Sequence, residues 1–463
     1  MFVRRIFISL VFLLFAYVIS YYSPPLSILS GYSAKYVCSS IFVANFTEQT
    51  LYDEDLNFSI LKYATITIDY DELSVTSSIF GFAKRKAIFR QGLGATLINE
   101  LTEEQIRAQK FDLFTPSVTN QDNIPWPMGN KIDNNDFPSN INQVTLQNAV
   151  NAMFIEKDPT KPIRTRAIVV LYDGKLVAEQ YASGFSKDSR FLGWSMTKSI
   201  ISALIGILVK DQKIDISKSA PVPEWNQLLN DARQSITTKH LLQQMSGLNF
   251  VEDYYSRSDV TQMLFDQGDM AAFTASHQLK HQPGTECYYT SGNTNLLSRI
   301  IRHTVGENEY HSFPYRRLFS KLGMNSMLME VDASGTFVGS SYSWATARDW
   351  ARFGLLYLNK GFYNNERILS EDWIQQSVTL AGSNVFGEYG YQFWLNTGRD
   401  NNSSARKLRD VPTDMFFANG FDGQSVFVIP SKKLVVVRLG LTKTPGDKYG
   451  ANNFLKNIIS SID

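Results

Sequence analysis

The sequence predicts an α+β fold, an antiparallel sheet flanked by helices with an all-helical subdomain set into it. Three observations carry that expectation. The run "TRAIVVLYDGKLVAEQYASG" is two β-branched stretches joined at Asp173-Gly174, a strong hairpin signal, and "GQSVFVIPSKKLVVVRLGLT" reads as a second hairpin turning at Pro430 to Lys433. Between the hairpins, residues 200 to 380 are mainly helical in pattern. An amphipathic helix over roughly 450 to 461 ends the chain and can pack back onto the sheet.

The elements follow in order. "MFVRRIFISLVFLLFAYVISYYS" sets Arg4 and Arg5 before an uncharged apolar stretch from Ile6 to about Tyr22, the pattern of a signal anchor or signal peptide over residues 1–23. The long apolar core and the pair Tyr21 and Tyr22 favour an uncleaved anchor, although Val18 and Ser20 also suit a cleavage site. The expected location is therefore membrane-anchored with the rest of the chain extracytoplasmic, or secreted if the segment is cut. "SPPLS" should break the helix, and the alternation in "YATITIDYDELSVTSSIFGFA" predicts strands over residues 30 to about 115. "PSVTNQDNIPWPMGNKIDNNDFPSNINQ" reads as an extended connector rather than a packed element, closing an N-terminal extension at 24–145. The compact domain is expected over 146–463, its helix opening near Ser195.

Composition removes several classes of function. A net charge of +1, from 45 basic and 44 acidic side chains, makes no field that would draw in nucleic acid, and none is expected as a partner. The five histidines show no metal spacing and the two cysteines, Cys38 and Cys287, cannot build a zinc cluster, so neither metal nor cofactor is expected. Whether these cysteines pair is left open by their number.

The chemistry centres on "GWSMTKSIISALIGILVK". A serine hydroxyl needs a nearby base, and a lysine serves only if its charge is suppressed. At i and i+3 on a helix, Ser195 and Lys198 share one face, and burial beside Trp194, Met196 and the apolar run pushes the amine toward neutrality. The helix start also offers an unpaired N–H to an oxyanion. Spacing alone is weak: Ser404 to Lys407 repeats it in a polar run with no apolar helix after it. A nucleophile elbow fits less well, because Thr197 stands where its second glycine would be.

Further segments resemble the serine β-lactamase-related and penicillin-binding-protein-like hydrolases. "HQPGTECYYTSGNTNLLSRIIR" is similar to that family's second motif, with Pro-Gly-Thr ahead of Tyr289 and Ser291; "TTKHLLQQMSGLNF" is similar to its Thr-x-x-x-Leu-Leu-x-x-x-Ser-Gly-Leu segment; "GWSMTKS" looks like its first motif. The likeness is greatest to the class C-like branch with 6-aminohexanoate-dimer hydrolase and esterases, over about residues 160 to 445. It implies a β-lactamase/transpeptidase-like fold and an acyl-enzyme on Ser195. It also implies proton exchange among Lys198 and Tyr289, and a substrate-binding role for Ser291, in the third place of that motif, as for Phe421, Asp422 and Gly423. Where the family carries Lys-Thr-Gly or His-x-Gly on a C-terminal strand, this sequence has Phe421-Asp422-Gly423, with the amide of Gln424 as second oxyanion donor beside that of Ser195.

Phe421 departs from that pattern. A phenyl ring cannot hydrogen-bond a carboxylate, which argues against an efficient β-lactamase or D-Ala-D-Ala carboxypeptidase and toward small-molecule amides or esters lacking that anion. Asp422 could meet a substrate amine or be an exposed turn carboxylate, and Gly423 would let substrate approach the strand edge. Trp344, Tyr389, Tyr391 and Trp394 are candidates for pocket or core, and Arg348 with Asp349 reads as a structural pair. Alternatives are a catalytically idle relative that binds cell-wall peptide or a protein partner, and a true β-lactamase or carboxypeptidase.

Overall fold

The structure, a computed structural model, describes residues 25–114, 120–133, 137–226, 229–382, 388–398, 402–443 and 449–462. The expected membrane segment at 1–23 lies outside these residues. Among the described residues no helix is long and apolar enough to cross a membrane. The chain divides into two compact units.

The first unit takes the described residues up to Gln109 together with Phe250–Phe273 and Val331–Gly335. It opens with a helix, α1, over 25–42, where the sequence reading expected strands from residue 30. The helix is buried on almost every side, so its apolar residues show no stripe. Two of its serines turn back on the helix itself: Ser33 Oγ donates to Leu29 O at 2.8 Å and Ser39 Oγ to Lys35 O at 3.0 Å. The expected strands follow as an antiparallel meander, β1 (Ala64–Asp69), β2 (Ser74–Ile79), β3 (Phe82–Arg90) and β4 (Gly94–Leu97).

The second unit holds the remaining residues. Helix α2 (Gln143–Asn151) precedes the first hairpin, β5 (Thr165–Tyr172) and β6 (Lys175–Tyr181), which turns where Asp173 and Gly174 both take positive φ. Helices α3 (Thr197–Lys210), α4 (Ser291–Val305) and α5 (Ala347–Leu358) come next. The edge strand β7 (Trp394–Leu395) leads to β8 (Phe416–Asn419), β9 (Ser425–Ile429), β10 (Leu434–Gly440) and the terminal helix α6 (Ala451–Ile459).

These strands form one antiparallel sheet in the order β7-β8-β9-β10-β5-β6, so the two hairpins join through β10 and β5, with Val436 opposite Val170. One face is covered by α2 and α6, through Leu146, Val150 and Leu455 against Ile168, Val170 and Phe427. The other takes α5, which comes so close that a Cβ on Gly354 would lie 2.5 Å from Val435 Cγ1. Helix α3 is buried nearly throughout, as its apolar composition requires.

The connector is packed at residues 126–130, contrary to the sequence reading. Arg352 on α5 donates to Pro127 O at 2.6 Å and to Gly129 O at 2.5 Å, and its guanidinium sits 4.6 Å from the Trp126 ring centroid. Polar carbonyls at 127–130 thus find buried donors, which the loop-like composition did not reveal.

Candidate active site

Between Phe191 and Leu208 every residue is buried except Ser195, which is half-buried. The local backbone explains why. Gly193 sits against the indole of Trp350, where a Cβ would come within 2.4 Å, and its N–H is held by Ser343 O at 2.7 Å. Trp194 then takes φ +47°, a conformation costly for an aromatic residue, and the chain makes a short 3-10 turn over Trp194–Met196 before α3 begins. Thr197 Oγ1 donates to Trp194 O at 2.7 Å and secures that turn.

Lys198, in the first turn of α3, is 1% exposed. Its Nζ donates to Ser291 Oγ at 3.0 Å and to Ser340 O at 2.8 Å, and lies 5.2 Å from the centroid of the Tyr289 ring. Ser291 is fully buried at the start of α4, so it is a partner of Lys198. Tyr289 is half-buried, with its ring edge-on to Tyr389 at 5.7 Å and tilted on Trp394 at 5.4 Å. Tyr288 points outward at 45% exposure.

The segment 420–424 meets this centre from the sheet. A Cβ on Gly420 would fall 2.3 Å from Gly193 O, and the Phe421 ring stands edge-on to Trp194 at 5.7 Å. Phe421-Asp422-Gly423 forms the turn between β8 and β9; it does not lie on a strand as expected, because Asp422 and Gly423 both take positive φ (+59° and +84°) and break the ladder. Asp422 is not an exposed turn carboxylate: it is buried and ion-paired with Lys443 Nζ at 2.6 Å. The missing side chain of Gly423 faces Arg438 Nη1, 2.7 Å from where a Cβ would be, and the Tyr449 ring. Gln424 spends its side chain on Gly440, donating to its O at 2.6 Å and accepting from its N–H at 3.0 Å.

A family model described as Beta-lactamase matches residues 152–457. The chain belongs to the beta-lactamase family. It is 26% identical over 311 residues to the 6-aminohexanoate-dimer hydrolase of Paenarthrobacter ureafaciens, covering 62% of this chain and 74% of that protein. Among solved structures it resembles the putative 6-aminohexanoate-dimer hydrolase from Bacillus anthracis, with TM-score 0.54, 23% identity and coverage of 64% and 79%. It also resembles a family VIII carboxylesterase, with TM-score 0.55, 15% identity and coverage of 70% and 98%. These relatives are hydrolases, and the shared fold is the β-lactamase-like α+β arrangement expected from the motifs.

Within this beta-lactamase family member, the structure also adds residues that sequence reasoning missed. Gln244 brackets Tyr289: its backbone O accepts from Tyr288 N at 2.8 Å, and its Oε1 accepts from Thr290 N at 3.0 Å and Asn293 Nδ2 at 2.8 Å. It stands inside the quoted "LLQQMSG" segment, at φ +61°, so the signal was present but carried no distinguishing mark. Gln392 ties three helices, accepting from Ser199 Oγ at 2.7 Å and Thr294 Oγ1 at 2.9 Å while donating to Leu242 O at 2.9 Å. Nothing local in the sequence announces it.

The aromatic candidates separate. Tyr389 and Trp394 adjoin Tyr289, whereas Trp344 gives its indole N–H to Glu330 at 3.0 Å and Tyr391 rests on Trp373. Arg348 and Asp349 do not pair with each other: Arg348 binds Glu179 and Asp349 binds Arg352 at 2.7 Å. Neither cysteine forms a disulfide and both are buried, and burial pushes the Cys287 thiol up to about 12.

Proposed function

We propose that the protein is a serine hydrolase that opens amide or ester bonds through an acyl-enzyme on Ser195. The observation that carries this reading is the buried Lys198 amine. It sits one helical turn from the one half-buried residue of its segment, is hydrogen-bonded to Ser291, and lies beside Tyr289. In that position the amine can take the proton that the Ser195 hydroxyl must lose. In the first step Ser195 Oγ attacks the carbonyl carbon and passes its proton to the Lys198–Tyr289 pair, which delivers it to the departing amine or alkoxide. The Ser195 and Gln424 amides receive the oxyanion. Water then attacks the acyl-serine, giving a proton to the same pair, which passes it to Ser195 Oγ as the acid leaves.

Phe421 at the site, together with the inward pairing of Asp422, supports a substrate that is neutral near the scissile bond. The test is intact-mass labelling with a fluorophosphonate in the wild type, Ser195→Ala and Lys198→Ala. One adduct is expected in the wild type alone. An adduct on Ser195→Ala would end the proposal, and no adduct on any form would favour the binding-only alternative. Nitrocefin turnover is expected to be slow or absent, and rapid hydrolysis would overturn the inference from Phe421.

We further read residues 1–23 as an uncleaved anchor that holds the chain at a membrane, with the hydrolase unit on its outer face. Retention of the full chain in the membrane fraction after an alkaline carbonate wash tests that reading.

A further inference from the structure

The first unit carries an exposed apolar tip that the hydrolytic site does not use. Tyr63, Phe80 and Phe82 are 54%, 57% and 54% exposed. All three lie at one end of the meander: Tyr63 precedes β1, whose Ala64 pairs with Ile79, and Phe80 and Phe82 flank Gly81 in the β2–β3 turn. The rings of Tyr63 and Phe80 stand 5.6 Å apart. Two exposed lysines flank them, Lys62, with Nζ 5.0 Å from the Tyr63 ring centroid, and Lys84. The carboxylate near this end, Asp266, is taken by Arg85 at 2.9 Å.

The opposite end of the same sheet differs in charge, although it too exposes apolar residues, Tyr70 and Leu73. Its β1–β2 turn exposes Asp69, Asp71 and Glu72, and Tyr70 there gives its hydroxyl to Glu48 at 2.9 Å.

The direction of α1 connects the apolar tip to the start of the described chain. At its beginning, Ser27 Oγ accepts from Arg85 Nη1 at 2.6 Å, three residues along β3 from Phe82. Midway, Ser33 Oγ meets Ser77 Oγ at 2.8 Å, and at its end Phe42 packs on Tyr70 at 5.9 Å. The helix therefore runs from the aromatic end to the acidic end, and residue 25 lies at the aromatic end.

We propose that Tyr63, Phe80 and Phe82, with Lys62 and Lys84, seat in the headgroup zone of an anionic lipid bilayer. Aromatic rings favour that zone, because it accepts an apolar body and a polar edge together, and lysines are attracted to anionic headgroups. The chain leading into α1 arrives at that end, while the carboxylates of the far end are held away from the lipid charge. The proposal rests partly on the reading of residues 1–23 as an anchor, and it adds a second, peripheral contact to it.

The native cysteines are buried, so a fluorophore can be placed on a single introduced cysteine, at exposed Thr65 beside the tip or at exposed Asp71 at the far end. The full chain is reconstituted in phosphatidylcholine–phosphatidylglycerol vesicles containing a lipid with a shallow nitroxide. The probe at 65 is expected to lose most of its emission and the probe at 71 to keep it. The triple change Tyr63→Ser, Phe80→Ser, Phe82→Ser should restore emission at 65 with an unchanged thermal midpoint. Vesicles of phosphatidylcholine alone should quench less.

Equal quenching at both positions, quenching that survives the triple change, or none at 65 would overturn the proposal. Loss of the chain to the carbonate wash with quenching at 65 intact would instead fault the anchor and leave the tip standing.

Discussion

Two segments converge on one centre and supply it in different ways. From Phe191 to Leu208 the neighbours are buried and Ser195 alone is half-buried, so in the proposed mechanism side chains carry the chemistry. In the turn at 420–424 the side chains are committed elsewhere: Asp422 to Lys443, Gln424 to Gly440, with Arg438 Nη1 donating to Gly423 O at 3.0 Å. In the proposed mechanism what that turn offers a substrate is its backbone and the Phe421 ring. The lesson is that a motif position can be occupied by residues whose side chains never face the reaction.

The comparison can be broken by mutation, beginning with the largest effect. Ser195→Ala should lower kcat/KM on a turned-over ester by on the order of 10^4-fold or more, with KM little changed, as read by steady-state kinetics. Residual activity within about tenfold of wild type would remove the side-chain role. Next, Tyr289→Phe should cost about 10^2-fold in kcat, the scale of a lost proton-transfer group, while Tyr288→Phe stays near wild type. Equal effects at the two positions would show that the loop, and not the Tyr289 phenol, is what matters.

Smaller effects test the turn. Gly423→Ala meets φ +84° and the guanidinium of Arg438, so kcat should fall about tenfold, and the thermal midpoint should drop by an amount corresponding to roughly 1–3 kcal/mol. The double change Asp422→Asn, Lys443→Met removes both partners of the ion pair and should alter kcat by less than about threefold, since neither charge is left unpaired. A large loss there would mean that Asp422 takes part after all. Least of all, Cys287 should resist maleimide in the native enzyme at pH 8. Its folded pKa of about 12 is above the medium, so the thiol stays protonated and becomes reactive only on unfolding.

Legibility followed the range of the forces involved. Both hairpins, the terminal helix and α3 were readable because turn chemistry and apolar periodicity act within a few residues. Helix α1 was not, because burial on nearly all sides erased its stripe and two of its serines, Ser33 and Ser39, bond within the helix. The connector at 127–130 read as loop because the donors that pin it, on Arg352, lie more than two hundred residues later. Gln392 was invisible for the same reason: its partners Ser199, Leu242 and Thr294 share no local pattern with it.

By itself the sequence determined the two hairpins of the sheet and the spacing of Ser195 and Lys198 on one helix. The tertiary structure decided which way each polar group faces: Lys198 toward Ser291 and Tyr289, Asp422 inward to Lys443, Gln244 around the tyrosine loop. The division has a physical origin. Backbone preferences and turn geometry are set by neighbours along the chain, whereas a buried polar side chain takes the direction in which its hydrogen bonds can be met, and those partners come from anywhere in the fold.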